Sequence, residues 1–511
     1  MEARVRAAWS VLPEYLSAHV VLSASALGLA LLIAVPLTLA ARRSRVVRSL
    51  VLGAAGVVQT VPSLALLALF FPVLLALSAL SARSFGAGFS ALGFLPSLLA
   101  LTLYALLPML RNGLAGLETV RPALVGAART LGAGPRETLV RVEAPLAAPV
   151  AMAGVRTAAV WVVGTATLST PVGQASLGNY IFTGLQTENW IDVLFGCVAA
   201  AGLALIVDGL LAVVEAGARR GSGRRMLLGV AGLVLGTAAA AAAPLLAGGG
   251  AGPTYVVGAK NFSEQFILAE LMSARLRDAG AIVERRDGLG SAVAFRALAG
   301  NELDVYVDYS GTLWTTVLGR TDMPPRAALT SELARELEAR HGVRVLGPLG
   351  FENAYALAMQ RADAERLNVR TLADLARVAP TLSIGGDIEF FARPEWAAVE
   401  RAYNLRFKGR RSYQPTFMYR ALAAGDVDVI SAFSSDGRIA ADDLVLLADP
   451  KGAIPPYDAL VLLSPERADD PRLAEALTPL LGAVDIGAMQ RANLMVDGQG
   501  RTPAEAARTL P

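Results

Sequence analysis

Few side chains in this 511-residue chain could do covalent chemistry. Asp304 and Asp308 stand four apart in Glu302-Leu-Asp-Val-Tyr-Val-Asp-Tyr309, a spacing open to general acid–base work. No base–nucleophile pair accompanies them, and acids at strand ends also read as caps and turn formers. His19 and His341 are far apart and read as structural or solvated, which argues against a zinc hydrolase or a Ser-His-Asp triad. Cys197 is the single cysteine, so neither an intrachain disulfide nor a thiolate metal cluster can form within one chain. No Gly-x-x-x-x-Gly-Lys-Ser/Thr loop occurs; Lys260, Lys408 and Lys451 are the only lysines, and none follows a glycine in that frame. The expectation is a chain with no catalytic residue, no metal and no cofactor of its own.

The elements around these residues belong to two solvents. The chain is 54% hydrophobic and 17% charged, which suits a partly membrane-embedded protein. Its net charge is +3 and its basic residues cluster at the edges of apolar blocks, which argues against a nucleic-acid partner. Apolar blocks long enough to cross a bilayer lie near 18–41, 50–80, 91–110, 148–170, 191–215 and 226–247. Block 50–80 contains Pro62 and Pro72, which could kink it or split off a short entering segment, and it is counted as one crossing. Arg42, Arg43, Arg45 and Arg48 follow the first block, Arg111 to Arg141 the third, and Arg219 to Arg225 the fifth. The loops near 81–90 and 171–190 hold only Arg83. Positive loops stay cytoplasmic, so six crossings put everything after residue 250 outside. Residues 1–247 are therefore expected to be an all-α transmembrane bundle and 248–253 a Gly-rich flexible linker.

Residues 254–511 are expected to be a separate extracytoplasmic α/β domain. Thr254-Tyr-Val-Val-Gly258, Ala281-Ile-Val283 and Glu302–Tyr309 read as strands, and Phe266, Ile267, Leu271 and Leu276 as the buried side of a helix. This alternation predicts a mostly parallel sheet.

The long cytoplasmic segment 111–147 contains Ala127, Ala128, Gly132, Val142 and Pro145, with Gly132 and Gly134 placed to end a short helix. An ordinary surface loop would read the same way. The spacing nevertheless resembles the coupling motif of ABC-transporter permeases, although Gly126 and Ala144 replace the usual glutamate and leucine. Gln59-Thr-Val-Pro-Ser-Leu-Ala-Leu-Leu67 and Leu177-Gly-Asn-Tyr-Ile-Phe182 resemble osmoprotectant permeases. The resemblance implies a type I importer permease that docks a separate ABC ATPase through Ala127, Ala128, Gly132 and Pro145. ATP would be bound by that partner, and the permease would be a homodimer in the cell membrane.

Gly258-Ala-Lys-Asn-Phe-Ser-Glu-Gln265, Asp304–Thr312 and Asp426–Gly437 resemble the binding proteins of quaternary-amine (glycine betaine, choline, carnitine) ABC importers. That implies a two-lobed, periplasmic-binding-protein-like fold of type II, with lobe one at 254–350 and 460–511 and lobe two at 351–459. It also implies an aromatic cage of Tyr309, Tyr355, Phe433 and Tyr457, since ring faces attract a trimethylammonium cation. Tyrosine is usual at the position of Phe433. Lys260, Gln265, Thr312 and Arg393 are the implied partners of a ligand carboxylate; Arg393 could equally form a surface ion pair with Glu389 or Glu395. Two alternatives stand beside this reading. One is an importer of an aromatic or thiolated betaine; the other is a membrane-tethered ligand sensor.

Overall fold

The computed structural model describes residues 2–511 except 87, 188, 247–251, 321, 323, 325 and 388. Most of the expected linker 248–253 therefore lies outside the described residues. The chain divides into two compact units near residue 250.

The first unit is helical: α1 (Glu2–Arg43), α2 (Arg45–Thr60), α3 (Ser63–Phe85), α4 (Phe94–Glu118), α5 (Pro122–Thr130), α6 (Pro135–Thr138), α7 (Ala144–Ala166), α8 (Gly178–Gln186), α9 (Trp190–Arg219) and α10 (Gly223–Leu246). Six of its helical segments are long and apolar enough to cross a membrane. The second of them is Ser63–Phe85, not 50–80. The apolar run breaks at Val61-Pro62, because a residue before proline is pushed out of helical backbone and Val61 is extended (φ −76°, ψ 128°). Residues 50–60 instead finish the separate helix α2. The Tyr104 hydroxyl donates to the freed Val61 carbonyl. Pro72 lies inside α3 without ending it. Ala26, Ala30 and Ala34 of α1 share one buried cluster with Leu101, Ala105 and Leu110 of α4 and Ala158 and Val162 of α7. Small residues every fourth position let helices approach closely where apolar lipid gives them no hydrophobic reason to associate.

The second unit holds two five-stranded sheets. The strands are β1 (Thr254–Lys260), β2 (Ile282–Leu289), β3 (Val305–Tyr309), β4 (Arg344–Glu352), β5 (Tyr355–Gln360), β6 (Ser383–Asp387), β7 (Gly409–Tyr413), β8 (Val429–Phe433), β9 (Leu444–Leu446) and β10 (Asp458–Leu463). Their orders are β2-β1-β3-β10-β4 and β7-β6-β8-β5-β9. In each, three parallel strands are followed by two antiparallel pairings. The sheets are thus mixed rather than mostly parallel. Helix α11 (Ser263–Asp278) buries Phe266, Ile267, Leu271 and Leu276, as the pattern predicts.

The sheets follow one plan. Asp304 Oδ2 accepts the Val256 N–H at 2.7 Å, and Asp428 Oδ2 accepts the Ser383 N–H at 2.7 Å and the Ser383 hydroxyl at 2.8 Å. Each aspartate stitches the start of its sheet's central parallel strand. Val257 pairs with Val305 and Ile384 with Val429. Counting three residues on from Val257 and Ile384 makes Lys260 and Asp387 equivalent. Counting on from Val305 and Val429 makes Asp308 equivalent to Ala432 and Tyr309 to Phe433. Asp304 is further held by Arg467 Nε at 2.8 Å, so it is a strand cap and not a free acid.

Asp304→Ala and Asp428→Ala should each cost about 1–3 kcal/mol, because each leaves a strand N–H without an acceptor. The double variant should lose the sum, since the sites lie in different sheets. Thermal unfolding measures both, and unchanged melting in the two single variants would refute the stitching role.

Candidate functional site

The carboxyl ends of β1, β3, β6 and β8 and the starts of β5 and β10 meet at one cavity of about 180 Å³. Ligands in α/β folds bind at such strand ends. Lys260, Tyr309, Thr312, Tyr355, Arg393, Phe433 and Tyr457 all line it, with Phe262, Asn353, Asp387 and Glu389.

The rings form two groups. The Tyr355 ring centroid lies 5.0 Å from Phe433 and 5.8 Å from Tyr457, the latter edge to face. Tyr309 stacks with Phe262 at 6.2 Å. Tyr457 lies against the bare Cα of Gly311, where an added Cβ would stand 2.7 Å from ring carbons. Its hydroxyl donates to Glu395. Burial, and then the charge of Asp387, pushes the Tyr355 phenol well above its usual range.

Gln265 does not face the cavity. Its Nε2 donates to the Val307 carbonyl at 3.1 Å and to the Tyr309 hydroxyl at 3.0 Å, while Oε1 accepts the Lys260 N–H at 3.2 Å. It positions Tyr309 and Lys260 from behind. The adjacent Glu264, fully buried, accepts from the Tyr309 hydroxyl at 2.6 Å, from Asn353 at 3.0 Å and from Asn493 at 2.9 Å. Asn353 lies between β4 and β5, and its N–H donates to the Tyr457 carbonyl at 2.9 Å. Two connections between the sheets are thereby tied together.

Lys260 reaches the cavity wall with its charge already compensated by Asp308; both side chains are at most 2% exposed. Arg393 is buried, not at the surface. Its Nη2 donates to Thr312 Oγ1 at 2.9 Å, its Nη1 to Glu389 at 3.3 Å, and its Cζ stands 5.3 Å from the Tyr355 ring centroid. Glu395 Oε2 lies 3.5 Å from its Nε. Asp387 is 4% exposed. Its carboxyl is pushed up to about 6, by burial first and by the charge of Glu389 besides, against the Glu389 and Phe390 N–H groups and Arg393.

Asp387 and Asn353 were not singled out from the sequence. The correspondence of Ile384-Gly-Gly-Asp387 with Val257-Gly-Ala-Lys260 was the available signal for the first. The second stands two residues before Tyr355. Arg111–Glu118 belong to α4, so the segment between crossings is shorter than 111–147. Ala127 is exposed and Ala128 half-buried on α5, and an exposed Gly132 at φ +90° follows. Pro145 is exposed in the first turn of α7.

Residues 253–509 match the family described as the substrate-binding domain of ABC-type glycine betaine transport systems. Residues 26–220 match the binding-protein-dependent transport system inner membrane component. The chain is 27% identical over 475 residues to an ergothioneine transport permease/ergothioneine binding protein of Helicobacter pylori (strain G27), covering 90% of this chain and 83% of that one. It is 36% identical over 197 residues to a choline transport system permease of Bacillus subtilis (strain 168), covering 39% of this chain and 83% of the relative. It is 30% identical over 267 residues to a glycine-betaine-binding protein of Pseudomonas aeruginosa (strain PAO1), covering 50% of this chain and 86% of the relative.

An aspartate whose native pKa is raised stabilises the fold below its unfolded value near 4, and that contribution is lost as pH rises through about 6. The whole effect at neutral pH is roughly 3 kcal/mol. Asp387→Asn should therefore gain about 1 kcal/mol on the ligand-free parent between pH 5 and pH 7.5. Paired unfolding curves check this, and a pH-independent difference would contradict it.

Proposed function

The chain belongs to the glycine betaine-type ABC importer family, as a multi-pass permease joined to its substrate-binding domain, and we propose that it takes up a small quaternary amine with the help of a separate ATPase. The observation that carries the ligand class is the convergence of Tyr355, Phe433 and Tyr457 on one cavity, with centroids 5.0 and 5.8 Å apart. A trimethylammonium group has no hydrogen to donate, and several ring faces in a dry site suit it, each worth roughly 0.5–2 kcal/mol. Arg393 and Thr312, on the same wall, would take a ligand carboxylate. The cavity draws on both sheets, so a ligand would favour the state in which they close upon it. That closed state is what the permease would read as loaded.

ATP hydrolysis would be supplied by a partner docking on the segment from α5 to the start of α7, through Ala127, Ala128, Gly132 and Pro145, in a permease dimer. Fusion holds the receptor near its own permease and raises its effective concentration there. A second reading, an aromatic thiolated betaine, is favoured by the fused Helicobacter relative, whose name specifies ergothioneine and which matches along most of the chain.

Tyr355→Ala and Tyr457→Ala should each weaken glycine betaine binding to the full chain at least tenfold by calorimetry; unchanged affinity in both would remove the cage. The purified chain should hydrolyse no ATP by itself. With a partner ATPase in liposomes, ligand-stimulated turnover should appear and be lost in Ala128→Glu. Turnover by the chain alone would end the partner assignment.

A further inference from the structure

Lys260 and Asp387 occupy equivalent strand ends, yet the fold treats their charges differently. Asp308 binds the Lys260 ammonium. The residue equivalent to Asp308 is Ala432, which brings nothing to Asp387. Asp387 Oδ1 accepts the Glu389 N–H at 2.9 Å and the Phe390 N–H at 3.1 Å. Oδ2 is buried and has no hydrogen-bond partner among the described residues. The Arg393 Nη groups are engaged by Thr312 and Glu389. Asn353 repeats the pattern: its Nδ2 is committed to Glu264, which fixes the amide's orientation and leaves a buried Oδ1 unpartnered. Both residues line the same cavity.

A buried acceptor without a donor is costly, and interior polar groups are normally paired. A quaternary ammonium attracts a carboxylate but supplies no hydrogen to a lone pair. We propose that the ligand carries an N–H or O–H that donates to Asp387. The site would then select a quaternary amine bearing an azole or a hydroxyl over a betaine without a donor. This inference rests on the quaternary-amine reading above. A site built to accept a substrate hydrogen bond discriminates strongly against an analogue lacking it, because its own polar group is then stranded.

Asp387→Asn tests the idea sharply. Two backbone N–H groups hold Oδ1, so the amide oxygen takes that place and the NH₂ takes the place of Oδ2. The shape is kept and the hydrogen-bond polarity inverted. Ergothioneine (azole N–H), choline (O–H) and glycine betaine (no donor) would be titrated calorimetrically into the full chain in nanodiscs at pH 7.5. Thermal unfolding would confirm that the variant is folded. The parent should bind ergothioneine or choline at least tenfold more tightly than glycine betaine, and that ratio should fall at least tenfold in Asp387→Asn. A ratio that does not change, or a parent that prefers glycine betaine, overturns the inference. An equal fall for all three ligands also overturns it, by assigning Asp387 a purely electrostatic role, and leaves the cage standing. If none of the three binds the parent, the quaternary-amine reading fails and this inference with it.

Discussion

The buried pairing of Lys260 with Asp308 is the interaction on which the cavity depends. Asp308 also accepts from the Tyr306 hydroxyl at 2.6 Å and from the Tyr309 N–H at 2.7 Å. One carboxylate thereby neutralises the ammonium at the end of β1 and fixes the backbone that carries Tyr309. Removing either partner would leave a stranded buried charge, a loss of roughly 3–5 kcal/mol. With it in place, one wall presents a ring face and a neutralised cation, and the opposing wall keeps an acid with no ion-pair counterpart to Asp308 and, among the described residues, no donor to its Oδ2. Gln265 and Glu264 brace Tyr309 from behind, so the ring's orientation is set by α11 as well as by its own strand.

The membrane unit obeys a related rule under a stricter solvent. Arg156 in α7 makes two 2.9 Å bonds to Asp208 and one of 2.7 Å to Glu215, both on α9. Charges inside apolar segments are paired wherever they persist, because lipid offers no compensation. Arg42 and Glu143 do the same between the end of α1 and the entry to α7. The break at Pro62 follows the same economy, with Tyr104 supplying a donor to the freed carbonyl.

What could be read from the chain, and what could not, divides along physical lines. Tyr309, Tyr355, Phe433, Tyr457, Thr312 and Arg393 were named through the resemblance of their motifs to a family of binding proteins, and the fold brings all six to one cavity. Gln265 was grouped with the carboxylate partners through the family resemblance, but a motif match places a residue without saying which way it points. Its side chain bonds Val307, Tyr309 and Lys260 behind the cavity wall. Asp308 read as a turn former, since its partner lies 48 positions earlier and only the sheet brings them together. The run 50–80 was counted as one crossing, with its two prolines leaving a kink or a break open; the break falls at the pre-proline residue, where backbone restriction acts and hydropathy carries no record of it. Asp387 was invisible for a subtler reason. An acid at a strand end is ordinary, and only the absence of a counterpart to Asp308 makes it exceptional.

The matching strand orders have one further consequence. Two copies of a plan facing each other would, if identical, form a cleft with no preferred polarity, and a zwitterion could enter it either way round. Substituting lysine for aspartate at one strand end, and alanine for aspartate at one neighbour, gives the cleft a head and a tail. Directionality in the captured molecule then needs no extra element; it follows from breaking the symmetry of a repeated half at two positions.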